Sequence, residues 1–288
     1  MKHWLWHLGR SFAFVYRLHA LRIAAVIFRG VSEPSMVKRP FFGRSLFLDV
    51  SRSKVQQLLW LRGDRYFEEK VLLRQLLRPG MTLVDVGANI GGYALMMAAY
   101  LKGEGTIICL EPDPTNLIEL RANVAGNHLE PSITILPVAA GSADGVISFE
   151  PGLNAHAAEN GSMQVEVRRL DSLNLPQVNF IKIDVEGFEG SVLDGAQALI
   201  ERCHPTLFLE LHAQLLTAHT HGEIVQFLQR HYTRISVYQA AHGNGWMRIL
   251  QSYGLVSCLK RLDKLPELVA AYEAGAMEEH TSWIVAQA

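Results

Sequence analysis

The sequence predicts an α/β fold: a mostly parallel sheet with helices on both faces. Three observations carry that expectation. Short apolar, strand-like runs alternate with helical patterns, two strand-helix units follow each other directly, and a 288-residue chain with 49% hydrophobic residues can bury a sizeable core.

The elements follow in order. PFFGRSLFLDVS, beginning at Pro40, holds a strand candidate, and YFEEKVLLRQLL, beginning at Tyr66, has apolar residues at helical spacing before Pro79-Gly80. MTLVDVGANIGGYALMMAAYLK then reads as a first core strand, a glycine-rich turn and an apolar helix. GTIICLEPD supplies the second strand and TNLIELRANVAGN the helix after it. ITILPVAAG, NFIKIDVEG, TLFLELH, RISVYQ and TSWIVAQ give strands three to seven, with SVLDGAQALIERC and GEIVQFLQRHY as helices between them. No internal repeat or low-complexity linker interrupts the series. Residues 1–40 are therefore read as an extension and residues 41–288 as one domain.

Composition narrows the function classes. With 27 Lys and Arg against 28 Asp and Glu, the net charge of -1 gives no overall drive toward nucleic acid. Cys109, Cys203 and Cys258 are odd in number and lack metal-ligand spacing, so a disulfide framework or zinc site is not expected and a reducing, cytoplasmic setting is. The first 32 residues carry Lys2, Arg10, Arg17, Arg22 and Arg29, no acid, and the aromatics Trp4, Trp6, Phe12, Phe14 and Tyr16. Their uncharged runs reach at most seven residues, far below the ~18–20 needed to span a bilayer. No secretory signal pattern is present. Three readings stand for this segment: a helix lying in the interface of the inner membrane surface, one packed on the main domain or on a second copy of the chain, or, less favoured, an organelle transit peptide.

The turn after the first core strand carries the first chemical signal. In VDVGANIGG, Asp85 ends the strand and Gly87, Gly91 and Gly92 surround a turn open to close backbone approach. Glu111 ends the second strand, 20 residues beyond Gly91, where an acid can accept hydrogen bonds from two ribose hydroxyls. Together they indicate a bound nucleoside. A dinucleotide wants a glycine where Asn89 stands, so that pyrophosphate can approach, and Asp85 adds a repelling charge. S-adenosylmethionine, positive at sulfur, removes both objections.

The strings LVDVGANIGGYAL, CLEPDPTNLIELRANVAGN, VRRLDSL, FIKIDVEGFEGSVLDGA and PTLFLELH, in that order, resemble the FkbM family of S-adenosylmethionine-dependent methyltransferases, over roughly residues 45–240. The resemblance implies a Rossmann-like class I methyltransferase fold, a seven-stranded, mostly parallel sheet whose last strand runs antiparallel. It implies methyl transfer to an oxygen, commonly a hydroxyl of a sugar, polysaccharide or secondary metabolite. Carried over by position, it gives Asp85, Gly87, Asn89 and Gly91 the methionine end of the cofactor and Glu111 the ribose. Pro112 and Asp113 then lie beside the adenosine, with Ala139 flanking the adenine.

In FIKIDVEGFE, Lys182, Asp184 and Glu186 alternate with apolar residues, placing three ionisable groups on one side of a central strand. Unpaired burial of such charges is prohibitive, so they pair or open onto the ligand crevice. Lys182 and Glu186 are read equally as an ion pair or as substrate contacts. If the strand order follows the methyltransferase pattern that the resemblance implies, Asp85, Asp184 and Glu210 end side by side, an acidic cluster suited to a cationic cofactor. Asp184 and His212 are the candidate catalytic bases, and Asp184 is also a candidate cofactor contact.

A divalent metal, Mg²⁺ on Asp184, Glu186 and Glu210, is the less favoured reading. His212, His219 and His221 read as solvated surface residues rather than ligands. PGLNAHAAENGSM, a loop between strand-like SFE and VEVRR that carries Asn154 and His156, and AAHGNGWMRIL, with Trp246, are candidate rims for the acceptor, and Asp171 is read as a structural cap. The leading expectation is thus an O-methyltransferase acting on a small-molecule or saccharide acceptor. The alternative from another class is a non-catalytic nucleoside-binding or scaffold protein.

Overall fold

The structure is a computed structural model and describes residues 26, 27, 29, 34–62, 67–150, 156–157, 161–211, 220–240, 259–262 and 282–288. Two compact units divide the chain, Met1–Gln75 with Ala240–Lys260, and Leu76–Gln239 with Arg261–Ala288.

In the first unit the expected single strand is a hairpin, β1 (Met36–Phe41) and β2 (Arg44–Asp49), joined through Phe42-Gly43. A helix α1 (Lys54–Arg62), which its weak apolar pattern conceals in the sequence, follows β2. Arg39 completes this pair: Nη1 donates to Leu59 O at 2.7 Å and to Trp60 O at 2.6 Å, satisfying carbonyls in the last turns of α1. The helix expected before Pro79-Gly80 is α2 (Phe67–Leu76).

The second unit contains the seven strands the sequence predicts. They are β3 (Thr82–Val86), β4 (Thr106–Leu110), β5 (Ile133–Leu136), β10 (Phe180–Ile183), β11 (Thr206–Leu211), β12 (Arg234–Ala240) and β14 (Ser282–Gln287). Their order across the sheet is β12-β14-β11-β10-β3-β4-β5, and a short strand, β13 (Leu259–Leu262), extends the edge at β12. The strands from β5 to β11 run parallel, whereas β14 inserts antiparallel between β11 and β12.

The two faces of the sheet differ. Val84, Val86, Ile108, Leu110, Ile181, Ile183, Leu207, Leu209 and Ile284 share one face and form a continuous core with α5 (Glu189–Asp194), α6 (Gln197–Cys203) and α7 (His221–His231). On the other face, Asp85, Lys182 and Phe208 are register partners, beside Tyr93 of helix α3 (Gly92–Leu101). Helix α3 is buried on nearly every side, which its almost uninterrupted apolar sequence requires. Helix α4 (Pro114–Ala125) follows β4.

The string SVLDGAQALIERC forms two helices rather than one, and Asp171 explains where the second begins. Its carboxylate accepts from Ala198 N at 3.2 Å and Leu199 N at 2.8 Å, capping α6 from 27 residues away in sequence. The structural role expected for Asp171 is therefore capping of a remote helix rather than of its own turn. Four strands absent from the seven-strand scheme form a separate small sheet, β6 (Ala139–Ala140), β9 (Met163–Arg168), β7 (Gly145–Glu150) and β8 (His156–Ala157). Among the described residues no helix is long and apolar enough to cross a membrane.

Candidate active site

The site is built on the turn between β3 and α3, at the carboxyl end of the sheet. Gly87 N and Ala88 N both donate to Leu110 O at 3.0 Å, which ties the turn to the end of β4. Gly87 has φ +75°, and a Cβ there would lie 2.0 Å from the backbone oxygen of Asp184. The space its missing side chain leaves is thus filled by the end of β10. Gly91, at φ +90°, caps α3, and a Cβ there would meet Leu120 Cδ1 at 2.7 Å. These two glycines therefore serve strand and helix packing, leaving backbone and the exposed Asn89 as what the turn presents outward.

Glu111 binds the turn from β4. Its Oε2 accepts from Asn89 N at 2.7 Å, while Oε1 accepts from Asp113 N at 2.9 Å and Asn116 Nδ2 at 3.2 Å. Burial outweighs these bonds and pushes the carboxyl up to about 7. A carboxylate offers about four lone-pair sites, so Oε2, with a single protein donor, keeps capacity for a ligand hydroxyl. Asn123 reaches the same turn, donating from Nδ2 to Ile90 O at 2.8 Å.

Two neighbours expected beside the adenosine have structural duties as well. Asp113 is fully buried and caps α4, accepting from Thr115 N at 2.7 Å and Asn116 N at 3.3 Å. Ala139 lies in β6 of the small sheet, paired with Val167, rather than in a bare turn. Pro112 sits half-buried between Glu111 and Asp113.

The acidic cluster is organised by a lysine. Lys182 is fully buried, and its Nζ lies 3.2 Å from Asp85 Oδ1 and 3.3 Å from Asp184 Oδ2. The ammonium also donates to Gly87 O at 2.7 Å and Val86 O at 3.3 Å, and it stands 4.7 Å from the centre of the Tyr93 ring. Burial alone would lower its pKa, but Asp85 and Asp184 together overcome that and hold it above the ordinary lysine value. Asp85 has no exposure, and burial raises its pKa although Lys182 opposes the shift.

The three acids do not lie level. Asp85 faces Lys182 in the register, whereas Asp184, just past the end of β10, and Glu210, in β11, come two residues beyond the Lys182–Phe208 pair. Asp85 is consequently the buried member, and Asp184 keeps a quarter of its side chain exposed. The alternation expected to include Glu186 stops short, because β10 ends at Ile183 and Glu186 sits in the following turn at φ +51°. Lys182 pairs with Asp85 and Asp184 rather than with Glu186. His212, His219, Asn154 and Trp246 lie outside the described residues, as does the side chain of His156. Among the described residues no three His, Cys, Asp or Glu side chains are grouped to hold a metal ion.

Sequence reasoning placed Asp85, Glu111 and Asp184 at strand ends but did not find Tyr93, Asn116 or Asn123. The asparagines had a signal, being amides in an otherwise amphipathic helix beside the acidic strand end. The Lys182–Asp85 partnership had none, since it depends on the strand order.

A model of the Methyltransferase FkbM domain matches residues 85–235, which include Asp85, Asn89, Glu111, Lys182, Asp184 and Glu210. The hexuronic acid methyltransferase AglP of Haloferax volcanii is 30% identical over 168 residues, covering 54% of this chain and 66% of that protein. The match thus spans just under two thirds of that relative's length. Among solved structures, a methyltransferase FkbM from Methylobacillus flagellatus is 18% identical at a TM-score of 0.45, covering 88% of this chain and 60% of that one. M. jannaschii TYW2, solved in complex with AdoMet, is 12% identical at 0.47, covering 89% and 88%.

Proposed function

This chain belongs to the FkbM methyltransferase family, and from that premise we propose that it uses S-adenosylmethionine to methylate a hydroxyl of a saccharide or related small molecule. One observation carries the proposal: the glycine turn and Glu111 are joined through the 2.7 Å bond from Asn89 N, with partly exposed Asp184 at the adjoining strand end. A ribose acceptor group and an acid for a positively charged ligand thereby stand at the ends of the two strands that flank β3. The 30% identity to a hexuronic acid methyltransferase supports a sugar among the acceptors to test.

The chemistry supplied with the cofactor is an electrophilic methyl on a sulfonium. The chain's own residues bind and orient. The backbone of residues 87–91 and Asn89 approach the methionine end, Glu111 accepts from the ribose hydroxyls, and Pro112, Asp113 and Ala139 shape the adenosine side. Holding an acceptor oxygen in attack geometry is worth up to roughly 7–11 kcal/mol in favourable cases. Asp184 takes the hydroxyl proton, with His212 as the other candidate base. A positioned base of this kind contributes about 10²–10⁴-fold.

The experiment is transfer of a labelled methyl group from S-adenosylmethionine to mono- and oligosaccharides, hexuronic acids included, followed by analysis of the product linkage. Label on a sugar hydroxyl oxygen supports the reading. Transfer confined to carboxylate, nitrogen or carbon acceptors contradicts it. Asp184→Asn is expected to lower turnover at least tenfold at saturating cofactor, and an unchanged rate removes Asp184 as the base. For the basic, aromatic residues 1–32 the corresponding proposal is contact with an anionic membrane surface, tested by sedimentation with phosphatidylglycerol vesicles with and without that segment.

A further inference from the structure

We infer that Lys182 is a positioning residue for this site, one whose ammonium ties the glycine turn to the end of β10 and so sets the turn and the Asp184 carboxylate relative to each other. The inference rests on the cofactor reading above and names the residue that gives its binding site a fixed shape.

The geometry separates this role from that of a plain buried ion pair. An ion pair would direct the ammonium first to a carboxylate. Here the shortest contact of Nζ is 2.7 Å, to Gly87 O in the turn, and both carboxylates are farther, at 3.2 and 3.3 Å. The same two segments meet twice more. Asp184 O fills the place of a Gly87 side chain, and Asp184 N donates to Val86 O at 3.2 Å. A displacement of the ammonium therefore moves the turn and the strand end together.

Charge points the same way. One ammonium lies between two carboxylates, of which Asp85 has no exposure and Asp184 is 25% exposed. Lys182 neutralises the acid that a ligand cannot reach, and the excess negative charge is presented at the acid that it can. The Tyr93 ring, its centre 4.7 Å from Nζ, adds a cation–π contact to the ammonium.

Calorimetric titration of the full chain with S-adenosylhomocysteine, alongside thermal unfolding, tests the assignment. Lys182→Met alone leaves Asp85 buried without its counter-ion and is expected to unfold at a lower temperature. Asp85→Asn with Lys182→Met removes both charges and is expected to return the midpoint close to wild type while binding stays weaker by about tenfold. Asp85→Asn with Lys182→Gln, whose amide can still donate to the Gly87 carbonyl, is expected to recover part of that loss. Wild-type affinity in the Met double variant overturns the inference and leaves Lys182 a structural counter-ion. A loss in Asp85→Asn alone as large as that of the double variant also overturns it, by assigning the effect to Asp85. A wild-type chain that does not bind overturns the cofactor reading itself, and this inference with it.

Discussion

Glu111 holds its proton near neutrality because it is 4% exposed, although three donors favour its charged form. In the unfolded chain this carboxyl ionises in the ordinary range, so between about pH 4.5 and 7 the folded state binds more protons than the unfolded one. Stability from this group is therefore greatest below that window and falls as pH rises through it, by roughly 3 kcal/mol in all. Glu111→Gln is expected to flatten this part of the stability profile measured by urea unfolding, and an unchanged slope contradicts the assignment. Ligand hydroxyls donate to the ionised form. Affinity for S-adenosylhomocysteine is expected to rise from pH 6 to pH 8 in the wild type and to lose that rise in the variant.

At the scale of elements, the turn and helix ends decide what can be changed. Gly87→Ala forces a Cβ to 2.0 Å from a backbone oxygen at φ +75°, and no side-chain rotation relieves it. A loss of more than about 3 kcal/mol, or failure to fold, is expected. Asp171→Ala removes two bonds to the start of α6 and is expected to cost about 1–2 kcal/mol without altering ligand affinity. A midpoint unmoved in Asp171→Ala contradicts the capping role. Asp171 also shows where sequence reading stops. That it was structural could be read from its place after a strand, but its partners are helix residues 27 and 28 positions on, and only the packing brings them together. Strands β3, β4, β10 and β11 were legible because buried parallel strands are near-continuous apolar runs, whose charged interruptions here are Asp85, Lys182 and Glu210. In the small sheet, β7 and β9 were legible as the strand-like SFE and VEVRR, whereas β6 and β8 were not, because they are two residues long and exist only through pairing with β9 and β7.

For the molecule as a whole, the one-letter string placed acids at the ends of β3, β4 and β10 but did not give their heights. Strand order makes Asp85 and Lys182 neighbours, 97 residues apart in sequence, and leaves Asp184 the partly open carboxylate. The acidic pocket expected from three strand-end carboxylates is therefore tempered by one buried cation. What remains is the proposed cofactor site, with Glu111 after one strand and Asp184 after another, joined by a turn that both touch. Titration calorimetry of the intact wild-type chain with S-adenosylhomocysteine at pH 8 tests that description most directly. Saturable binding of one molecule per chain is the predicted result, and no detectable binding by a chain that still unfolds cooperatively would contradict it.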